Sequence, residues 1–237
     1  LTGNIIIVNG TSGAGKSTTC ELFAKRRQDF WLLFGIDHFL SSSFPPRYSH
    51  HGPEAKQGIC AHPVDESDRD GTGTLRWSFG DKGWQAIRTY HEWIAAASRQ
   101  GCNIIVDHLL MTDPPVLQDC VWRFTGLPVL LVTLKPDRAV LLDRVANRTM
   151  DKRLPASEIY GDDGLRRAVE RLGRLRPWFY DAVYANDVCD LEIDTVQHDP
   201  GQVCDLIDQR LADGPGTSFE ALRRRYPRPP LAGSAIV

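Results

Sequence analysis

The chain has 237 residues, 42% of them hydrophobic, and a formal net charge of −2. That length and composition suit a globular domain with a sizeable core. The near-neutral charge gives no footprint for a nucleic-acid partner, and no apolar run approaches the roughly 20 residues of a membrane-spanning helix.

The first predicted strand, around Ile5-Ile6-Ile7, runs straight into Gly10-Thr11-Ser12-Gly13-Ala14-Gly15-Lys16-Ser17-Thr18. Gly10-x-x-x-x-Gly15-Lys16-Ser17 is a complete P-loop. Its glycines let backbone N–H groups turn inward onto phosphate oxygens. The helix that starts near Lys16 turns its positive end to the same anion. Lys16 carries a mobile charge to the β- and γ-phosphates, and the Ser17 hydroxyl is placed to ligate Mg²⁺. Cys20, Phe23 and Ala24 share one helical face, so the motif sits between a strand and a helix as the chemistry requires. The expected ligand is a nucleoside triphosphate with Mg²⁺.

A second strand, Trp31 to Ile36, ends at Asp37. Ligands of open parallel sheets bind beyond the carboxyl ends of the strands. A carboxylate there can take the proton of an attacking hydroxyl, or it can cap a short helix from His38. Ser41 to Phe79 follows, a long polar stretch. Its His50, His51, Cys60 and His62 match no compact zinc spacing, and a substrate-covering hairpin or loop is the expectation. Trp77, Phe79 and Trp84 offer flat apolar walls for an organic substrate, or ordinary core.

The helix Trp84 to Arg99 turns Ile87, His91, Ile94 and Ala95 towards one face. The strand Asn103 to Val106 leads to Asp107, expected to hold a Mg²⁺-bound water or to orient Ser17. His108 beside it either reaches the substrate cleft or is structural. Pro114 to Phe124 is a helix and Val129 to Leu134 a strand. Asp137 to Met150 is a helix that sets Arg144 and Arg148 on one face, with Arg153 in a loop beyond. Guanidinium forks there suit a lid over a triphosphate; the alternative is a solvated face paired with Asp143 or Asp151. Leu165 to Tyr184 (helix), Val188 to Ile193 (strand) and Gln202 to Leu211 (helix) complete the series. A short helical pattern, Phe219 to Tyr226, precedes a Pro-Arg-Pro-Pro tail. Strands alternating with helices imply a parallel sheet covered on both faces.

The order "VNGTSGAGKST", "WLLFGID", insert, helix, "NIIVDHLLMTDP", "VLLVTLKP", Arg-bearing helix, "VCDLEIDT" resembles the chloramphenicol phosphotransferase family of small P-loop kinases, from about Asn4 to Ile207. The resemblance implies an α/β three-layer sandwich with a five-stranded parallel sheet, of nucleoside-monophosphate-kinase type with a lid. It implies ATP-dependent phosphorylation of a hydroxyl on an antibiotic or related metabolite, with Asp37 as base and Arg144 and Arg148 as lid arginines. Residues 1–213 then form the kinase domain, with an insert at 41–79 and a lid region at 144–177, and 214–237 an extension. The rival expectations are a nucleotide-sugar kinase of zeta-toxin type and a slowly hydrolysing P-loop switch. The six cysteines (Cys20, Cys60, Cys102, Cys120, Cys189 and Cys204) form no C-x-x-C pair. With no secretory pattern ahead of the first strand, a cytoplasmic protein with reduced thiols is expected.

Overall fold

The computed structural model describes residues 1–50, 52–65, 72–146, 170 and 173–228. Five parallel strands form one sheet in the order β2-β5-β1-β6-β7. They are β1 (Ile5–Asn9), β2 (Trp31–Gly35), β5 (Asn103–His108), β6 (Val129–Leu134) and β7 (Leu191–Ile193). Every residue of β1 and β6 is buried, as central parallel strands with helices on both faces require.

Alternation along β1 sorts the core into two halves. Ile5 and Ile7 face α3 (Asp81–Arg99), α4 (Val116–Arg123) and α8 (Ser218–Arg225). Ile6 and Val8 face α1 (Lys16–Arg26), α7 (Pro200–Ala212) and Leu141 of α5 (Arg138–Ala146). The result is a helix–sheet–helix sandwich. A helix over 173–184, here α6, covers the carboxyl edge of the sheet on the first face. None of the described helices is long and apolar enough to cross a membrane.

The insert has structure of its own. It holds the end of α2 (Ile36–Ser42), a 3-10 turn at Pro46–Tyr48, and an antiparallel hairpin of β3 (Ile59–Pro63) and β4 (Leu75–Phe79). The hairpin pairs Ala61 with Trp77 and Ile59 with Phe79. His62 bonds Ser78 across it, and Cys60 Sγ lies 3.8 Å from His62 Nδ1. Among the described residues no His, Cys, Asp and Glu cluster can hold a metal, and His51 lies outside those residues.

α8 is built into the core. Phe219 and Leu222 are buried, and Phe219 stacks on Phe124 with ring centroids 6.1 Å apart. Asp190, just before β7, ties this helix down. Its carboxylate accepts the N–H of Leu131 at 2.8 Å, of Thr217 at 2.7 Å and of Ser218 at 2.9 Å, and the Ser218 hydroxyl at 2.6 Å. Replacing Asp190 with alanine leaves three backbone donors without an acceptor. We expect a loss of about 3 kcal/mol of stability, read as a lower urea midpoint with an unchanged slope.

Candidate active site

The P-loop leaves β1 at Asn9. Gly10 is required by close approach: a Cβ there would lie 2.8 Å from the Leu134 carbonyl oxygen and 3.0 Å from Ala14 Cβ. Gly15, at φ 98°, holds a left-handed turn and caps α1 with no side chain. The first-turn N–H groups are therefore free of a side-chain cap, and that turn carries no acidic residue. This is an anion cradle. Ser12, Ser17 and Thr18 of the motif are exposed.

Lys16 is buried and curls back on the loop. Its Nζ donates to the Thr11 carbonyl at 3.2 Å and lies 3.5 Å from Asp107 Oδ1. The Ser17 hydroxyl donates to Asp107 Oδ2 at 2.5 Å. Asp107 pairs in register with Val8 on one side and Gly35 on the other. Strand β5 thus delivers its carboxylate between β1 and β2, level with the P-loop. Asp107 Oδ1 is buried with no hydrogen-bond donor of its own. A carboxylate in contact with a serine hydroxyl offers the oxygen donors Mg²⁺ takes beside phosphates, so Ser17 and Asp107 fit Mg²⁺.

Asp37 lies next to β5 rather than β1, because β5 separates β2 from β1. It is exposed in the first turn of α2, whose N-cap is Gly35. The first turn of a helix favours a negative charge. Asp37 borders a nearly closed cleft of only about 10 Å³ with Ile36, Trp77, Phe79, His108 and Met111. Trp84 packs edge-on against Phe79 at 5.4 Å and so backs the cleft wall. The indole N–H of Trp77 is buried without a hydrogen-bond partner.

Beneath the cleft lies a relay that the sequence did not announce. His91 Nδ1 is 2.7 Å from Asp119 Oδ2, His91 Nε2 is 2.9 Å from His108 Nε2, and the Leu109 N–H meets His108 Nδ1 at 2.7 Å. The Leu109 amide can only donate, so His108 Nδ1 carries no proton. His108 Nε2–H then donates to His91, and His91 Nδ1–H donates to Asp119. The signal available was His91 on the apolar face of α3, where a buried imidazole needs partners. Asn9 Oδ1 accepts the Leu110 N–H at 2.8 Å and pins the same β5 exit.

Burial, then His91, then Lys16, holds His108 well below the ordinary histidine range. An unfolded histidine titrates near about 6.5. Below that pH the unfolded chain takes up a proton that the native chain refuses. Stability is therefore full above about pH 6.5 and falls towards the folded value, by up to about 1.4 kcal/mol per pH unit for this group. Burial opposes ionisation of Asp119, but the bonds from His91 and Arg123 outweigh it and hold its carboxyl below the usual range. Urea melts at a series of pH values, compared with His108→Asn, should show a shallower acid limb in the variant.

Arg144 is tied to the loop that follows β7, beside the P-loop. Its guanidinium donates to Thr195 Oγ1 at 3.0 Å and to the Thr195 carbonyl at 2.7 Å, and Thr195 Oγ1 donates to the Ala14 carbonyl at 3.1 Å. It lines a cavity of about 500 Å³ with Gly15, Thr18, Thr195, His198 and Gln202. Arg148, Arg153 and most of the expected lid, 144–177, lie outside the described residues.

Among solved structures, the chain is similar to the Mycobacterium tuberculosis APS kinase in complex with AMPPNP and APS. Identity is 14%, with 89% of this chain and 98% of that one covered at a TM-score of 0.52. It is similar also to an unliganded sugar kinase from Janibacter sp. HTCC2649, at 18% identity, 90% and 95% coverage and a TM-score of 0.50. At such identities the likeness is one of fold, that of P-loop kinases. No curated protein matches the sequence. The model of the chloramphenicol phosphotransferase-like proteins matches residues 3–212, which takes in the whole sheet, the phosphate cradle and the aromatic cleft. By that match the chain belongs to the chloramphenicol phosphotransferase-like family and is a P-loop phosphotransferase.

Proposed function

We propose that the protein moves the γ-phosphoryl group of ATP to a hydroxyl of a small, flat, largely apolar acceptor of the antibiotic type. The observation that carries this reading is the phosphate cradle with Lys16, Ser17 and Asp107 at the end of β5, beside β2, the strand that leads into exposed Asp37. The buried indole N–H of Trp77 suits an acceptor with a hydrogen-bond acceptor on its flat part.

The nucleoside occupies the cavity beside Arg144 and Thr195, and the P-loop amides and Lys16 hold its phosphates. Ser17 and Asp107 would hold Mg²⁺, which when bound would neutralise phosphate charge. Asp37 accepts the acceptor's hydroxyl proton. The acceptor oxygen bonds to the γ-phosphorus as the bond to the β–γ bridging oxygen breaks, and ADP leaves with that electron pair. Arg144 orders the loop around the nucleoside; Arg148 remains the lid arginine proposed for the developing charge.

Incubation with ATP-Mg²⁺ and a panel of hydroxylated antibiotics, followed by mass spectrometry, tests the reading. An acceptor that gains one phosphoryl group is the expected result. ADP formed with every acceptor unchanged would support the switch reading instead.

A further inference from the structure

Helix α6 touches both halves of the site. Phe179 meets Trp77 of the cleft edge-on, with ring centroids 4.7 Å apart. The Ala182 carbonyl accepts the Thr112 N–H at 3.0 Å, just after Met111 of the cleft. Tyr184, at the helix end, places its phenol against the P-loop. The hydroxyl is 2.7 Å from the Leu134 carbonyl and 3.3 Å from the Thr11 nitrogen.

The directions of these bonds are fixed. A hydroxyl has one proton, and a carbonyl can only accept it. Tyr184 therefore donates to Leu134 and accepts from Thr11. The other side of Thr11 is committed too, because its carbonyl holds Lys16 Nζ at 3.2 Å. Anchors before and after Thr11 restrict rotation of this stretch of the loop. Burial raises the Tyr184 phenol above its ordinary range, with the Thr11 bonds opposing, so the hydroxyl keeps the proton this arrangement uses.

We propose that Tyr184 is a positioning residue for phosphoryl transfer: it fixes the Thr11 stretch of the P-loop, on the same helix whose Phe179 packs on Trp77. The inference rests on the kinase reading above. A loop held in its binding geometry spends less affinity on ordering, and Tyr184 supplies that order before the nucleotide arrives.

The test is isothermal titration of AMPPNP-Mg²⁺ into wild type, Tyr184→Phe and Tyr180→Phe, well below the melting temperature, with thermal melts alongside. The phenyl ring keeps the edge-on packing against Tyr180, whose ring centroid lies 4.8 Å away, so Tyr184→Phe retains the helix. Tyr184→Phe is expected to bind AMPPNP-Mg²⁺ about tenfold more weakly, and Tyr180→Phe as wild type does. A merely structural Tyr184 lowers the melting temperature and leaves the affinity of the folded protein at the wild-type value; that result overturns the proposal. If wild type itself gives no binding, the kinase reading falls, and this inference with it.

Discussion

Lys16→Ala is expected to lower phosphoryl transfer by at least about a thousandfold and to weaken nucleotide binding. The ammonium is the buried cation beside the cradle, held in readiness by the Thr11 carbonyl and Asp107. Both contacts are ones it can exchange for phosphate oxygens when a nucleotide enters. Removal also leaves Asp107 as an uncompensated buried carboxylate, so a stability loss of about 3 kcal/mol accompanies it. The check is acceptor phosphorylation and AMPPNP-Mg²⁺ affinity on the same folded preparation. Wild-type turnover in the variant would remove the phosphate assignment of the loop.

Asp37→Asn is the second large effect. The amide keeps the size and one acceptor oxygen but cannot take a proton. General-base catalysis is worth about 10² to 10⁴ in rate, so turnover should fall by that factor while nucleotide affinity persists. Asp37 stands in the cleft and not in the cradle, which is why the two readouts separate. Asp37 is exposed in the first turn of α2, so folding should survive, with at most a few tenths of a kcal/mol lost from the helix start. Near-normal turnover would take Asp37 out of the mechanism. Equal losses in turnover and in affinity would move it to the metal.

The sheet was legible in the sequence because its central strands are buried on both faces and read as unbroken apolar runs: Ile5 to Val8, Ile104 to Val106, Val129 to Val132. The cradle was legible because its chemistry is local, set by Gly10, Gly15, Lys16 and Ser17 within one turn of chain. Strand order was not. Nothing between Trp31 and Gly35 says that β5 will lie between β2 and β1, and Asp37 follows that arrangement. The β3–β4 hairpin was expected only as a hairpin or loop, since His62 and Pro63 break the alternation that marks a strand.

The unread part of the site consists of contacts between residues far apart in the chain. His91, His108 and Asp119 come from α3, β5 and α4, and each alone reads as an ordinary polar residue in an apolar pattern. Tyr184 meets Thr11 across 173 positions. Arg144 was expected in a lid from its place on a helical face; helical spacing fixes a face but not the partner, and its bonds to the Thr195 hydroxyl and carbonyl were not legible. Asp190 was visible as part of an acidic pattern, but its four-bond role appears only once α8 folds back against β6.

The most direct measurement follows the phosphorus itself. Wild-type protein is incubated with ATP-Mg²⁺ and the best acceptor from the antibiotic panel, and phosphorus NMR records where the γ-phosphoryl group goes. Transfer to the acceptor hydroxyl predicts a phosphomonoester signal that grows in step with ADP, depends on the acceptor and is lost in Asp37→Asn. Inorganic phosphate growing in step with ADP, at a rate indifferent to the acceptor, would contradict it.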